Sequence, residues 1–134
     1  MNHSQWKTTR TRRALGERVT PTPEYVEAGY ALALAEALYD RRTKLGLTQA
    51  QLAERAGLSQ PKVSAIEGGG HVPTLPLLQR LATALVSHLV IDLDEDNPAF
   101  DFRPLGEFRS DLEIETHGAV QVIVADEADH RVAN

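Results

Sequence analysis

The sequence predicts a mainly α-helical fold, with a compact helical domain followed by a small β-rich extension at the C-terminus. Between residues 22 and 85, apolar side chains recur at helical spacing, and each run is bounded by capping residues, Pro or Gly. From residue 88 onward, apolar and polar residues alternate instead, which is typical of strands. We therefore expect a flexible basic N-terminal arm at 1–21, the helical domain at 22–87 and an acidic, β-containing extension at 88–134.

The first predicted helix has clear signals at both ends. Thr22 is a good N-cap, Pro23 suits the first helical position, and Gly46 follows the basic residues of a last turn near Lys44. An apolar residue at every fourth position predicts a buried stripe along this helix: Val26, Tyr30, Leu34 and Leu38. By contrast, residues 1–21 are polar, rich in Thr and Arg and without an apolar period, so we expect a solvated, partly ordered arm there.

Two short helices should follow with a tight turn between them. Thr48 and Gln51 have the spacing of a capping box, which opens a helix that Gly57 breaks. Ser59 caps the next helix, and Pro61 sits in its first turn, where a missing N–H costs nothing.

A last helix and several strands complete the expected layout. The glycines at 68–70 end the preceding helix, and Thr74 caps the last one. Its expected buried stripe is Leu75, Leu78, Ala82 and Leu85. We interpret 88–94 as a strand, 97–104 as a loop, and 112–116 with 119–124 as a hairpin.

Charge is distributed unevenly along the 134 residues, whose formal net charge is −5. Residues 1–20 carry five basic side chains against one acidic one, residues 21–80 are balanced, and residues 81–134 carry twelve acidic side chains against three basic ones. Because phosphate binding depends on local cationic surface, this net charge does not exclude a polyanionic partner. With no Cys, no secretory signal and no apolar run long enough for a membrane span, we expect a cytoplasmic protein without a membrane partner.

The offsets of four residues within 48–67 carry the functional interpretation. Two helices that cross closely need a small residue at the contact, here Ala53, and a residue that tolerates the left-handed conformation at the turn, here Gly57. Val63 and Ile66 then hold the second helix against the core. Further apolar anchors are Leu52, Ala56 and Leu58. This is the pattern of a helix-turn-helix, in which the second helix enters the major groove of double-stranded DNA.

The outward face of the second helix supplies candidate DNA contacts. The residues expected near the bases are Gln60, Pro61, Ser64 and Ala65. Gln can bond adenine with two hydrogen bonds, Ser can donate or accept, and the Ala methyl can touch thymine. The residues expected near phosphate are Gln49, Ser59 and Lys62. The N-terminal arm has two interpretations: it is a solvated tail, or it contacts DNA phosphate or the minor groove through Arg10, Arg12 and Arg13.

These segments resemble the Xre-type helix-turn-helix family, which includes phage repressor and Cro proteins. The resemblance lies in LTQAQLA at 47–53, GLSQ at 57–60 and VSAIE at 63–67, with the PTL turn at 73–75. It implies a repressor-like domain of about five helices that binds a palindromic operator as a homodimer. It also implies that Gln49 holds phosphate, Gln60 and Ser64 face bases, and Glu67 is structural. At Pro61 and Ala65, many relatives have polar side chains that contact bases. We therefore expect recognition of DNA shape to contribute more of the specificity here.

The two ends of the chain resemble the HigA-type antitoxin branch of that family. An N-terminal extension and a strand at 89–93 after the last helix are similar to those regulators, which repress their own operon and neutralise an RNA-cleaving toxin. The resemblance implies a basic RNase-type toxin as a possible partner for the acidic extension. Strand 89–93 has two interpretations: it pairs across a dimer, or it forms a sheet with the hairpin at 112–124.

Other functions have weaker support in the sequence. A protein-interaction module without DNA binding is the alternative function, although such a module has no reason to keep the Gln49, Gln60 and Ser64 face polar. The five His residues are scattered, with His88 expected at a strand edge, and the acidic residues at 92–96 lack the spacing of a calcium loop. We therefore expect no enzyme activity, no metal site and no cofactor.

Overall fold

The computed structural model describes residues 1–105 and the backbone of residues 121–124. Its elements in chain order are α1 (His3–Ala14), α2 (Pro23–Lys44), α3 (Gln49–Ala56), α4 (Gln60–Glu67), α5 (Leu75–Ala84), β1 (Ser87–Asp92), β2 (Ala99–Pro104) and β3 (Gln121–Val124). The prediction of a mainly helical domain with a small C-terminal sheet is confirmed. Within these described residues, no helix is both long enough and apolar enough to cross a membrane.

Most of the expected helix ends are formed by the side chains that predicted them. The side chains of Thr22 and Ser59 each accept a hydrogen bond from the backbone N–H three residues further on, at 3.1 and 3.2 Å. Thr48 and Gln51 form the full capping box, with bonds of 3.1 and 2.9 Å. Thr74 occupies the N-cap of α5 without a side-chain bond to the helix. These caps fix where α2, α3 and α4 begin.

One main core lies between the four helices α2, α3, α4 and α5 and the inner face of the sheet. Its largest members are Leu34, Leu38, Leu52, Val63, Ile66, Leu78, Leu81, Leu85, Leu89, Ile91, Phe100 and Phe102. Two members of the stripe expected on α2, Val26 and Tyr30, are only half-buried. Leu75 was expected in the core but is 55% exposed; it is the first residue of α5, and burial on this helix begins at Leu78.

The N-terminal segment differs from the expected flexible arm, because residues 3–14 form helix α1. Asn2 and Gln5 make a capping box at its start, and Trp6 is buried with its ring stacked on Tyr25 of α2 at 6.0 Å between centroids. Gly29 allows this approach, since a Cβ there would lie 2.7 Å from the indole Nε1. The Asn-x-x-Gln spacing at 2–5 was the overlooked signal for this helix.

The sheet has the order β2-β1-β3, and β1 pairs antiparallel with both neighbours. Leu89 of β1 lies opposite Phe102 on one side and Val124 on the other. The prediction of a loop at 97–104 is wrong, because Phe100 and Phe102 alternate into the core and make this segment a strand. Residues 112–120 of the expected hairpin lie outside the described residues.

The central position of β1 settles the interpretation of strand 89–93. Both edges of β1 carry ladder partners from the same chain, so pairing of this strand across a dimer is contradicted. His88, expected at a strand edge, is fully buried in the central strand. The strand therefore belongs to an intramolecular sheet.

Candidate nucleic-acid interface

The turn between α3 and α4 has the left-handed backbone that the sequence required. Gly57 has φ 68° and ψ 33°, and Ala53 of α3 is 3% exposed at the helix contact. Leu58 N–H donates to the Ala53 carbonyl oxygen at 2.8 Å, which closes the end of α3. Arg80 of α5 donates from Nε to the Ala56 carbonyl oxygen at 3.0 Å and from Nη2 to that of Gly57. The cation thus caps the C-terminus of α3 and fixes the turn.

Helix α4 has one buried side and one exposed side. Val63 and Ile66 are fully buried against the core. The four residues expected near the bases are exposed on the same short helix: Gln60, Pro61, Ser64 and Ala65. A helix of this kind is held by its apolar face while its polar side chains remain available to a groove.

A chain of polar contacts connects the exposed end of α4 with the interior. Gln60 donates from Nε2 to Oε1 of Gln49 at 2.9 Å, and Gln49 donates from Nε2 to Oε1 of Glu67 at 3.4 Å. Arg42 of α2 then donates to both carboxylate oxygens of Glu67, at 2.6 and 2.8 Å. The Arg42 and Glu67 side chains are only 11% and 6% exposed, and the bonds to Glu67 raise the pKa of Arg42. The two glutamines therefore rest on a buried ion pair.

Arg42 and Arg80 both belong to this site and were not predicted from the sequence. The position of Arg42 in the last turn of α2 indicated only that this helix ends nearby. Its partner Glu67 lies 25 positions later in the chain, so no local spacing relates the two. Glu67 has the structural place that the family resemblance implied for it.

The other expected phosphate contacts are also held by protein groups. Ser59 accepts from the Lys62 backbone N–H at the start of α4, and the Lys62 ammonium lies 3.1 Å from Nε2 of His71. In α1, Arg10 donates to the Asn97 side chain at 2.6 Å, and Arg12 pairs with Glu17 at 2.5 Å.

Asp96 ties the third arginine of α1 to the loop after β1. Arg13 donates to both carboxylate oxygens of Asp96 at 2.7 and 3.0 Å, and the Tyr25 hydroxyl donates at 2.9 Å. The Arg13 and Tyr25 bonds lower the pKa of Asp96, while burial and the bond to Asp96 raise the pKa of Tyr25 to about 12. Asp96 thus joins α1, α2 and the loop after β1. In the described part of the chain, no group of three or more His, Asp or Glu could hold a metal ion.

Comparison of the sequence with known proteins identifies a family. A model of the helix-turn-helix domain matches residues 33–86. The chain is 43% identical over 60 residues to an uncharacterized HTH-type transcriptional regulator of Methanothermobacter thermautotrophicus, an alignment covering 42% of this chain and 87% of the relative. It is 40% identical over 63 residues to another such regulator of Sinorhizobium fredii, covering 46% of this chain and 82% of the relative. The chain belongs to the helix-turn-helix domain family.

Proposed function

We propose that the protein is a sequence-specific DNA-binding transcriptional regulator that reads the major groove with α4. The observation that carries this proposal is the Gln60–Gln49 pair, which is held at the exposed start of α4 by the buried Arg42–Glu67 ion pair. The names of both relatives, HTH-type transcriptional regulators, support the same role. A helical bundle with a purely structural role would gain nothing from a polar pair ordered on its surface.

The bond to Gln49 leaves Gln60 equipped to read adenine. A glutamine amide has two N–H donors and one carbonyl acceptor. Because one N–H is given to Gln49, the other N–H and the oxygen remain for adenine N7 and N6–H. Ser64 supplies a further hydroxyl and Ala65 a methyl group for thymine. With Pro61 unable to donate, part of the specificity comes from DNA shape.

We assign the phosphate contacts to Gln49, Ser59 and Lys62. Gln49 and Ser59 lie at the N-termini of α3 and α4, where backbone N–H groups and the helix dipole favour an anion. The arginines of α1 bond acidic and amide side chains of the protein, and our proposal does not depend on them.

We further propose that two copies bind a palindromic operator. A single helix reaches only a few base pairs, whereas two copies can bind half-sites about 34 Å apart and multiply the specificity. The interface must use a surface other than the edges of β1, because both are paired within the chain. The narrower role of an autorepressing antitoxin rests on the resemblance of the sequence to HigA-type proteins. It is tested by asking whether co-expression protects cells from the product of the adjacent gene.

Fluorescence anisotropy tests the DNA-binding proposal directly. The probe is a duplex from immediately upstream of the protein's own gene, compared with a scrambled duplex at two salt concentrations. We expect a preference of about 10³-fold or more at physiological salt. Equal binding to both duplexes that disappears with added salt would contradict sequence-specific regulation and favour the protein-interaction module.

A further inference from the structure

Strand β2 forms one side of the sheet, and its outer edge borders a groove. The strand order β2-β1-β3 leaves that edge without a neighbouring strand among the described residues. The groove has a volume of about 400 Å³ and is lined by residues 100–104 of the strand and by Ala37, Asp40, Arg41 and Lys44 of α2. Because successive side chains of a strand point to opposite faces, a groove that borders consecutive residues lies along the edge.

The ladder with β1 shows which backbone groups point toward this groove. Leu105 N–H donates to the Val86 carbonyl oxygen at 3.4 Å, one step beyond the paired residues of β1 and β2. Since bonding alternates along an antiparallel pair, the odd-numbered residues of β2 bond to β1. The backbone groups of Phe100, Phe102 and Pro104 therefore point outward. They offer two N–H donors and three carbonyl acceptors, because Pro has no N–H.

The side chains on either side of Phe102 carry opposite charges. Phe102 points into the core, so Asp101 and Arg103 lie on the other face of the sheet. They pair with each other at 2.6 Å, and their side chains are 54% and 21% exposed. A strand with opposite charges on the two sides of its centre is complementary to an antiparallel copy of itself.

We propose that β2 pairs with the β2 of a second copy of this chain, antiparallel about a two-fold axis at Phe102. In this register Phe102 exchanges two backbone hydrogen bonds with the partner's Phe102, and Phe100 N–H donates to the carbonyl oxygen of the partner's Pro104. Asp101 then lies opposite the partner's Arg103, in the non-hydrogen-bonded pairs where side chains are closest. The sheets of the two copies become one continuous sheet.

The charges select this register over its neighbours. Moving the axis by one residue brings either the two Asp101 or the two Arg103 side chains opposite each other, and like charges in that position are destabilising. Moving it by half a residue sets core-facing side chains beside outward-facing ones. Charged side chains on an edge strand ordinarily prevent association, whereas here they permit it with one partner in one register.

The proposed interface leaves the DNA-binding surface open. The groove is lined by α2 and β2, whereas the base and phosphate contacts assigned above lie at α3 and α4. The role of this dimer rests on the proposed function, because it joins the two copies that bind a palindromic operator. Its formation does not require DNA, so it is measured on the protein alone.

Exchange of the two charges tests the register by sedimentation equilibrium without DNA. The wild type should have the mass of two chains. Asp101→Arg sets cations opposite each other and Arg103→Asp sets carboxylates opposite each other, so each variant should have the mass of one chain. An equimolar mixture of the two variants should form the dimer again, because opposite charges then face each other across the interface. Glu27→Arg makes the same charge change at an exposed position of α2 outside the groove and should remain dimeric.

Disulfide cross-linking tests the same register with uncharged substitutions. The chain has no Cys, and the Cα atoms of a non-hydrogen-bonded antiparallel pair lie about 4.5 Å apart, within reach of a disulfide. A mixture of Asp101→Cys and Arg103→Cys chains should therefore give a covalent dimer on mild oxidation. Neither variant alone should do so, because its own Cys residues are not opposite each other in this register.

A monomeric wild type would overturn the inference and leave this edge to another occupant, such as residues 106–120 of the same chain. Charge variants that both remain dimeric, or cysteine variants that cross-link no better when mixed than alone, would overturn it as well. Failure of the proposed function is seen separately, as equal binding of the dimeric wild type to the upstream and scrambled duplexes.

Discussion

Arg42 of α2 holds both carboxylate oxygens of Glu67, the last residue of α4, at 2.6 and 2.8 Å in a nearly buried ion pair. Arg42 also donates from Nη1 to the Leu47 carbonyl oxygen at 2.8 Å, in the segment that leads into α3. One guanidinium therefore fixes α4 and the approach to α3 relative to α2. Gln49 joins this arrangement through Glu67 and extends it to the exposed Gln60.

Replacing Arg42 with Met should destabilise the protein strongly, because it leaves the Glu67 carboxylate buried without its cation. Loss of one partner of a buried pair costs about 3–5 kcal/mol of unfolding free energy, measurable by urea denaturation. Arg12→Met is the matched control: its partner Glu17 and Arg12 itself are about half exposed, so the loss should be at most about 1 kcal/mol.

The double variant Arg42→Met/Glu67→Met separates stability from recognition. Replacing both charges with apolar side chains removes the unpaired carboxylate, so much of the lost stability should return. DNA preference should not return, because Gln49 has lost the oxygen to which it donates. If the double variant prefers the operator to the same degree as the wild type, the ion pair does not support recognition.

Gly57→Ala should destabilise the turn between α3 and α4 in two ways. A left-handed conformation costs a residue with a Cβ about 1–2 kcal/mol, and the new Cβ would lie 2.8 Å from Nη2 of Arg80. Gly46→Ala is the matched control, since Gly46 has φ 71° but nothing within 4 Å of the added Cβ. In thermal unfolding, Gly57→Ala should have a lower melting temperature than Gly46→Ala. In an Arg80→Ala background the two substitutions should cost about the same, and a difference that persists there would contradict the clash.

Local signals in the sequence predicted the functional half of the fold. The capping box at Thr48 and the left-handed Gly57 are decided by neighbours within four residues, and the structure has both where the spacing put them. The inward and outward sides of α4 follow equally from the helical period around Val63 and Ile66.

The parts that sequence reasoning missed depend on contacts between distant residues. Arg42 meets Glu67 across 25 positions, and Arg13 meets Asp96 across 83. Nothing in the composition of residues 1–21 shows that Trp6 has a place to bind, because that place is made by Gly29 on another helix. Segment 97–104 was misread because its alternation is short and begins beside a turn.

Acid should release α1 by protonating Asp96. The pKa of Asp96 is lowered by its bonds to Arg13 and Tyr25, so the carboxylate stabilises the folded state above the ordinary value near 3.8. That contribution is lost as the pH falls through the lower folded value. Trp6, the single Trp of the chain, reports on the docking of α1. Its fluorescence should shift to longer wavelength on acidification below about pH 4.

Asp96→Asn should already show the shifted Trp6 emission at neutral pH and should lose the acid transition. Asp101→Asn is the matched control, because Asp101 pairs with Arg103 on β2 and its side chain is 54% exposed. An Asp96→Asn protein with wild-type emission would mean that stacking on Tyr25 alone holds α1.

Gln49 and Gln60 should act on DNA as a coupled pair. Gln60→Ala removes the adenine contact and should reduce discrimination at one base pair of the operator by about 1–3 kcal/mol. Gln49→Ala leaves the Gln60 amide without the acceptor at 2.9 Å, so it should lose part of the same discrimination as well as a phosphate contact. In the double variant the losses of discrimination should therefore be less than additive.

Thr83→Ala, at an exposed position of α5, is the control and should prefer the operator to the same degree as the wild type. The measurement is anisotropy with the upstream duplex and single-base variants of it. Strict additivity would mean that Gln49 does not orient Gln60, and unchanged preference in Gln60→Ala would remove that side chain from the reading of bases.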